Sequence, residues 1–173
     1  MSASALIAFL SIMLFAGTAV GVDEPPAPPA EPKVTIETVR LAGQPFRLEL
    51  AADPVSRERG MMGRRVIKPG TGMIFVFRDE QLRSFWMAHC VVDMDAYFLD
   101  ATGRIVARHA MKKEPLRHRF ESAANYHRRL KRYTSRRPAQ FVIEVPAGSI
   151  KTLGLKVGDR IEFDRARLVA AAR

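Results

Sequence analysis

Short stretches in which every second residue is apolar recur along the chain and predict β-strands. Residues 46–50 and 141–145 both place large apolar side chains at alternate positions. A period of two directs these side chains to one face of a sheet. Further short segments, rich in β-branched or aromatic residues and bounded by turn residues, are predicted as strands: 34–41, 72–77, 84–92, 96–99, 104–110 and 160–163.

Two short segments predict helical turns rather than strands. Asp53 is followed by proline, which suits an N-cap and a first helical position, and Gly60 can end a helix that covers 55–59. Residues 149–153 fit a second short helix that stops at Gly154. Neither segment is long enough to be the crossover helix of a βαβ unit.

The turn at residues 100–103 and the spacing of the strands indicate the fold class. Its sequence, Asp-Ala-Thr-Gly, has an aspartate that can bond its own backbone and a glycine that accepts positive φ, so 96–110 is predicted to be a hairpin. About eight short strands with two helical turns are typical of a mainly β domain. We predict an antiparallel sandwich or jelly roll, with a small β-barrel as the alternative.

Several motifs of the predicted domain occur together in one order. They are Arg57 to Arg64 (RERGMMGR), 72–77 (GMIFVF), 85–87 (FWM), Asp95 with 98–100 (FLD) and 103–106 (GRIV), and 142–148 (VIEVPAG) followed by 154–159 (GLKVGD). In this combination the chain resembles the domain of unknown function 192 family. The resemblance implies a small, mostly antiparallel β domain, often exported, in a family without an established activity.

The chain departs from the family pattern in two places. After Phe-Trp-Met the family usually has a basic residue, Asn and Thr, whereas this chain has Ala88, His89 and Cys90. The stretch 112–137 is long and basic where the family has a shorter connection that contains proline. We therefore treat 112–137 as a basic insertion with a helical segment.

The positive charge of the chain is local. The 173 residues carry 28 Lys and Arg against 18 Asp and Glu, a net charge of +10. Residues 104–137 hold twelve Lys and Arg and two Glu, which accounts for all of that excess. A basic segment on an otherwise neutral domain describes one surface rather than the purpose of the domain.

The first 22 residues predict a signal peptide or an N-terminal anchor. They contain no charged side chain, and an apolar run at 5–16 is followed by small residues. Five of the eleven prolines lie in 23–33, which is predicted to be an extended linker. The rest is predicted to be a single β domain at 34–168 with a tail at 169–173. This domain is expected to be exported to the periplasm or the cell exterior, or held at the membrane by the N-terminus.

Trp86, the only tryptophan, is the first candidate for ligand binding. In a strand, Phe85 and Met87 face one side and Trp86 faces the other. If Phe85 and Met87 fill the core, the indole forms a flat apolar platform that can stack on a sugar ring or a base. The alternative is an indole covered by a second sheet or by the basic insertion.

Arg57, Arg64 and Asp95 form a second candidate group. A guanidinium beside a partly buried carboxylate makes a strong, often bidentate pair that can lock a helix onto a sheet. We favour this structural pairing over a ligand-facing arginine cluster, because buried ions are usually paired. Together with Trp86 and His89, these three residues make up the predicted ligand-binding set.

The densest group of reactive side chains lies at 89–95 and offers a catalytic alternative. His89 and Cys90 are adjacent and would face opposite sides of a strand, so we expect Cys90 to be buried and inert rather than a nucleophile. Asp93 and Asp95 lie two residues apart on one strand face. That spacing of about 6 to 7 Å suits acid and base roles in hydrolysis of a glycan.

His109, His118 and His127 are spaced nine residues apart, but no metal site is predicted from them. Nine residues turn a helix by about 900°, which is half a turn out of register, and an odd step also reverses the face of a strand. No regular element therefore brings these three side chains together. No cofactor is predicted either.

Residues 121–133 can form an amphipathic helix within the basic insertion. Tyr126, Leu130 and Tyr133 fall on one stripe of this helix. Its other surface carries four basic residues, Arg128, Arg129, Lys131 and Arg132. This cationic face fits an anionic glycan, lipid headgroups or an acidic protein, or it is a solvated surface without a partner. The predicted export argues against a nucleic acid.

The leading functional hypothesis is non-catalytic binding of a polar or anionic ligand of the cell envelope. The first alternative is a hydrolase or transferase that acts on envelope glycans with Asp93 and Asp95. The second alternative is a structural assembly module.

Overall fold

The computed structural model describes residues 34–173. The predicted signal peptide and proline-rich linker lie outside these residues. Six strands and four short helices follow one another in the described part. In chain order they are β1 (Ile36–Leu41), β2 (Gln44–Ala51), α1 (Pro54–Arg59), β3 (Thr71–Phe85), β4 (Met94–Leu99), β5 (Ile105–Met111), α2 (Ala123–Arg129), β6 (Tyr133–Pro146), α3 (Ser149–Leu153) and α4 (Arg165–Ala171).

All six strands lie in one mixed sheet in the order β1-β2-β3-β6-β4-β5. β2 and β3 pair in parallel, and the other neighbours are antiparallel. Within residues 34–173 the edge strands β1 and β5 do not pair with each other, so the sheet is open and the alternative of a closed barrel is wrong. The prediction of a mainly β domain with a few short helices is confirmed.

The central strands of the sheet bury both of their faces. On β6 every residue from Phe141 to Val145 is buried, and alternate side chains enter two separate apolar cores. The first core contains Ile143 and is closed by Leu168 of α4, so we call it the α4-side core. The second contains Phe75 and Val142 and is covered by the segments that follow α1 and β3, so we call it the α1-side core. Strands covered on both faces are continuously apolar.

The predicted helices α1 and α3 and the predicted hairpin are confirmed. Asp53 caps α1 by accepting the backbone N–H of Ser56 at 3.0 Å, and the Ser56 hydroxyl accepts the backbone N–H of Asp53 in return. α3 begins and ends where the sequence predicts. β4 and β5 pair across a turn in which the Asp100 side chain accepts two backbone N–H groups.

Two strand predictions are wrong in part. The strand predicted at 84–92 ends at Phe85, because the chain turns at His89, whose φ is 53°. Residues 84 and 85 belong to the long strand β3, which continues through two irregularities in its register with β6. The strand predicted at 160–163 is reduced to one isolated bridge between Arg160 and Arg104, because the backbone bonding to residues 103–105 stops after Ile161.

The helices also differ from the prediction at two places. α2 covers only the first part of the helix predicted at 121–133, and the end of that segment enters β6. The sequence pattern does not predict α4, whose Leu168 is buried against the sheet. None of the helices among residues 34–173 is both long enough and apolar enough to cross a bilayer.

Candidate functional site

A cavity of about 480 Å³ lies on the α1 side of the sheet. Three segments line it: residues 57–62 of α1 and the following loop, residues of β3 between Phe75 and Phe85, and the turn at 86–90. Glu144 of β6 lines it from the sheet. Pockets of roughly 300 to 1,000 Å³ bind small molecules in proteins, so this cavity is the first candidate for a site.

Three phenylalanines of β3 form an apolar wall of the cavity. Phe85 meets Phe75 edge to face, with 5.0 Å between ring centroids, and meets Phe77 at 6.5 Å. Gly60 at the end of α1 makes this packing possible, because a Cβ at that position would lie 3.3 Å from the Phe75 ring. Gly60 also has a φ of 45°, which side chains rarely tolerate.

Arg57, Arg59 and Arg83 line the cavity, and we call them the cavity arginines. The guanidinium carbons of Arg57 and Arg83 lie 5.2 and 3.9 Å from the centroid of the Phe77 ring. Arg83 forms a salt bridge with Asp79 at 2.7 Å. Arg57 donates instead to the backbone carbonyl of Val76 at 3.0 Å and to a main-chain oxygen of Arg173, where the described residues end, at 2.8 Å. Its burial lowers its pKa. Neither Arg57 nor Arg59 forms a salt bridge within residues 34–173.

Glu144 brings a buried acid to the cavity. The residue is 5% exposed, and its side chain has no hydrogen bond with any residue that the structure describes. Gly72 allows the backbone of β3 to approach it, because a Cβ there would lie 2.2 Å from the Glu144 carbonyl oxygen. Burial raises the pKa of the Glu144 carboxyl to about 8, although the charge of Arg64 opposes this rise. At neutral pH the carboxyl is therefore mostly protonated, and it can both donate and accept a hydrogen bond.

Arg64 is neutralised by Glu49 of β2. Both terminal nitrogens of its guanidinium donate to the Glu49 carboxylate, and this hydrogen bonding lowers the pKa of Glu49. The expected pairing of Arg57 and Arg64 with Asp95 is therefore wrong. The physical reason is the alternation of β4, which directs Asp95 to the opposite face of the sheet from these arginines.

Trp86 lines the cavity and is 38% exposed. Phe85 and Met87 pack in the α1-side core, as the alternation predicts. The guanidinium carbon of Arg132 lies 4.3 Å from the indole centroid, and the His127 ring meets the indole edge-on at 6.2 Å. The indole is therefore not sealed in the core, although the basic insertion covers part of it.

Sequence comparison assigns the chain to a family. A profile of the domain of unknown function 192, described as "Uncharacterized ACR", matches residues 36–163. The chain belongs to this family. This match confirms the family resemblance that the sequence motifs indicate.

Relatives of this family member come from several organisms. A UPF0127 protein of Thermococcus gammatolerans is 33% identical over 119 residues, which are 68% of this chain and 66% of that protein, just under two thirds of its length. The structure of a proposed transcription regulator from Sinorhizobium meliloti is 31% identical, with a TM-score of 0.60, over 76% of this chain and 96% of its own. The structure of a protein of unknown function from Novosphingobium aromaticivorans is 26% identical, with a TM-score of 0.59, over 75% of this chain and 85% of its own.

His89 occupies the turn that follows β3. Its φ of 53° lies in the left-handed region, in which asparagine, aspartate and histidine occur more often than other side chains. Its backbone N–H donates to the Tyr126 hydroxyl at 2.7 Å, and the two rings pack with 5.0 Å between centroids. The imidazole is exposed and does not line the cavity, so the turn conformation accounts for this residue.

Cys90 lines the cavity as a buried thiol, as the sequence predicts. Burial, and to a smaller extent the charge of Glu144, raises the pKa of the thiol to about 12. The thiolate is the nucleophilic form, so the thiol is unreactive at neutral pH.

Asp93 and Asp95 do not form the expected carboxylate pair. Asp93 precedes β4 and binds the basic insertion, where Lys112 Nζ lies at 2.9 Å and the Lys113 backbone N–H at 2.8 Å. These hydrogen bonds lower the pKa of Asp93. Asp95 is buried within β4 and accepts the backbone N–H of Ile150 at 2.7 Å, while burial raises its pKa. Because Asp93 lies outside the strand, the two side chains do not share a strand face.

The histidines at 109, 118 and 127 have separate local contacts. His109 Nε2 lies 2.8 Å from the backbone carbonyl of Thr134, and the His118 ring packs on Phe120. Among residues 34–173, no group of three or more His, Cys, Asp or Glu side chains is arranged to hold a metal ion.

The basic insertion packs its apolar stripe and exposes its charges. Tyr126, Leu130 and Tyr133 are buried, as predicted. The four basic residues of the cationic face, Arg128, Arg129, Lys131 and Arg132, are exposed. Arg129 is held by Glu121 at 2.7 Å, and Arg128 by the Asn125 side chain at 2.9 Å.

Sequence reasoning missed Glu144, Arg59 and Arg83. An alternating strand with one buried face would leave Glu144 in solvent. The signal against that interpretation is Val142, which lies on the same face of β6 and is apolar. No comparable signal identifies Arg83, because the register irregularities of β3 that position it are not visible in the sequence.

Proposed function

We propose that this protein binds a small anion with an apolar body in the cavity and catalyses no reaction on it. One observation carries the proposal. The cavity joins an aromatic wall to Arg57 and Arg59, neither of which forms a salt bridge with an Asp or Glu side chain of residues 34–173. Aromatic rings supply apolar contact area, and guanidinium groups bind carboxylate or phosphate through paired N–H donors.

The charge balance of the cavity favours an anion. The charge of Arg83 is offset by Asp79. Glu144 is mostly uncharged at neutral pH, because burial raises its pKa to about 8. Glu58 is then the one other acid among the lining residues, against Arg57 and Arg59, which have no salt bridge with an Asp or Glu side chain of residues 34–173. The excess is positive, and Arg57, which is partly buried, is the arginine that an anionic partner stabilises most.

The reactive groups that an enzyme would use are separate or inactive, which supports binding rather than catalysis. The Cys90 thiol is protonated because burial raises its pKa to about 12. Asp93 is held by Lys112, and Asp95 is held by a backbone N–H on the other face of the sheet. A glycan hydrolase that relies on this pair would need both carboxylates at one bond.

The proposal includes the cell envelope as the place of binding. Residues 1–22 have the pattern of an export signal, and the cationic face of the basic insertion would add attraction to an anionic surface. Cell fractionation of the full chain with N-terminal sequencing tests this. Recovery outside the cytoplasm supports it. Recovery in the cytoplasm with the leader intact contradicts it.

Trp86 provides a direct test of anion binding, because it is the only tryptophan and lines the cavity. The full chain is titrated with octanoate and with octanol, which share chain length and differ in charge. We expect octanoate to change the Trp86 fluorescence and to bind at least about tenfold more tightly than octanol.

The matched variants are Arg59→Gln in the cavity and Arg128→Gln outside it. We expect Arg59→Gln to remove most of the preference for octanoate and Arg128→Gln to retain it. Equal affinities for octanoate and octanol in the unmodified chain, or an equal loss in both variants, would falsify the proposal.

A further inference from the structure

Glu144 is the feature of the cavity that anion binding alone leaves unexplained. Most buried polar groups in proteins have a hydrogen-bond partner. The Glu144 carboxyl has none among residues 34–173, and it lines the cavity. Its oxygens are not sealed in the core, because the described side-chain atoms that are both fully buried and unpartnered belong to Tyr97 and Arg165. A ligand in the cavity can therefore reach the Glu144 carboxyl and pair with it.

The groups around Glu144 do not supply a counter-charge. Arg64 is the described cation whose charge lowers the pKa of Glu144, and both of its terminal nitrogens already bind Glu49. Cys90 in the neighbouring turn is an uncharged thiol. A cationic group on a ligand would therefore be the first positive charge that pairs directly with the Glu144 carboxylate.

The aromatic side chains of the cavity suit the same kind of group. Phe75, Phe85 and Trp86 line the cavity together with Glu144. The face of an aromatic ring attracts an ammonium group, and the attraction grows when water is excluded. A carboxylate beside aromatic rings thus forms a recognisable ammonium site.

We infer that Glu144 receives an ammonium group of the ligand, so that the cavity takes a zwitterion. The anionic group of this ligand lies at Arg57 and Arg59, and its primary or quaternary ammonium lies at Glu144. The inference rests on the proposed function, because it adds a second contact in the same cavity. An amino acid with separated charges is the simplest ligand of this class.

Binding of the ammonium requires the ionised carboxyl, so a proton leaves Glu144 for the solvent as the pair forms. Other charged or titratable groups lie on the segments around it: Glu49 on β2, Arg57, Glu58 and Arg59 on α1, Arg64 in the loop after α1, Arg83 on β3 and Cys90 in the turn. The arginines are protonated throughout the accessible pH range, and the thiol is uncharged below pH 9 because burial raises its pKa to about 12. His89 lies in the same turn, and His127 packs on Trp86. We expect the proton released near pH 7 to come from Glu144 rather than from these histidines, so Glu144→Gln, which keeps both histidines, should abolish the release.

The test compares the binding of plain carboxylates with that of amino carboxylates of equal length. Binding to the full chain is measured by Trp86 fluorescence. The pairs are butanoate with 4-aminobutanoate, hexanoate with 6-aminohexanoate, and octanoate with 8-aminooctanoate. We expect the amino form to bind more tightly at the length that spans the cavity. Glu144→Gln, which resembles the protonated acid in shape, should shift this preference toward the plain form by at least about tenfold.

Glu58→Gln is the matched control, because Glu58 is an exposed acid of the same cavity. We expect it to retain the preference for the amino form. Loss of that preference in Glu58→Gln but not in Glu144→Gln would overturn the inference, since the ammonium would then lie at the exposed acid.

Proton release gives a second readout, with Glu144→Gln as its control. Calorimetry of the unmodified chain in buffers of different ionisation enthalpy should show proton release with the amino form near pH 7 and none with the plain form. Absence of release, or tighter binding of the plain form at all three lengths, overturns the inference but leaves the proposed function standing. If neither form binds, the proposed function itself fails.

Discussion

On the central strands β4 and β6, each face of the sheet buries one acid, and the two acids differ in what surrounds them. Asp95 on β4 and Glu144 on β6 lie one register position apart, since Asp95 pairs with Val145 and Glu144 pairs with Ala96. Burial raises the pKa of both carboxyls. Asp95 accepts the backbone N–H of Ile150, whereas Glu144 has no partner among the described residues. Burial alone therefore does not identify a binding group, and we take the acid without a protein partner that opens onto a cavity as the candidate.

The two faces also differ in how they are closed. On the α4 side, α3 and α4 pack Ile150 and Leu168 against the sheet, and the acid secures the start of α3. On the α1 side, a cavity separates α1 from the sheet and leaves Glu144 accessible to a ligand. We interpret Asp95 as an acid that stabilises the fold and Glu144 as an acid that serves binding.

The largest expected effect is on the pH dependence of the free energy of unfolding, which should distinguish Glu144 from Asp95. The Glu144 pKa rises from 4.5 to about 8 on folding, so the folded chain binds an extra proton between these values. Its free energy of unfolding should fall as pH rises from 4.5 to about 8, by about 5 kcal/mol, while Glu144→Gln should lack this decline. Urea unfolding at several pH values measures it. Parallel pH profiles for the two proteins would show that Glu144 ionises normally.

A smaller effect is expected on the other face. Asp95→Ala removes the acceptor for the backbone N–H of Ile150 and should lower the free energy of unfolding by about 2 kcal/mol. Asp95→Asn retains an acceptor oxygen and should cost less. The control is Asp93→Ala, whose partner Lys112 is exposed and whose loss should be smaller still. If Asp93→Ala lowers the free energy of unfolding as much as Asp95→Ala does, our interpretation of Asp95 as an acid that stabilises the fold is wrong.

The smallest effect on stability is expected away from both faces. Reversing two exposed charges of the basic insertion, Arg128→Glu with Lys131→Glu, should change the free energy of unfolding by less than about 0.5 kcal/mol. The same variant should lose its association with vesicles that contain phosphatidylserine. Unchanged sedimentation with these vesicles would remove the cationic face from the proposed function.

The fold could be predicted from local patterns where one short-range cause decides the structure. Asp53 and Gly60 bound α1, and the turn at 100–103 defines the hairpin. Long-range effects were not predictable. The parallel pairing of β2 with β3, the continuity of β3 and the turn at His89 depend on contacts between distant segments.

The candidate site could be predicted only in part for the same reason. Trp86 and Arg57 were identified because rare or charged residues stand out in a sequence, and both line the cavity. Arg64 was also identified, but it pairs with Glu49 on β2 and not with the expected Asp95 on β4. Glu144 has the position of a solvent-facing residue in an alternating strand, and only the packing on the second face of β6 makes it a buried acid.

The central claim is that the cavity beside Glu144, and no other part of the α1-side core, takes the ligand. Methyl-labelled methionine NMR during an octanoate titration tests it most directly, because Met61 and Met62 line the cavity and Met111 lies in the same core away from it. We expect the Met61 and Met62 methyl signals to shift with saturation while Met111 stays in place. Equal shifts at all three methionines, or shifts that spare Met61 and Met62, would contradict the assignment of the site.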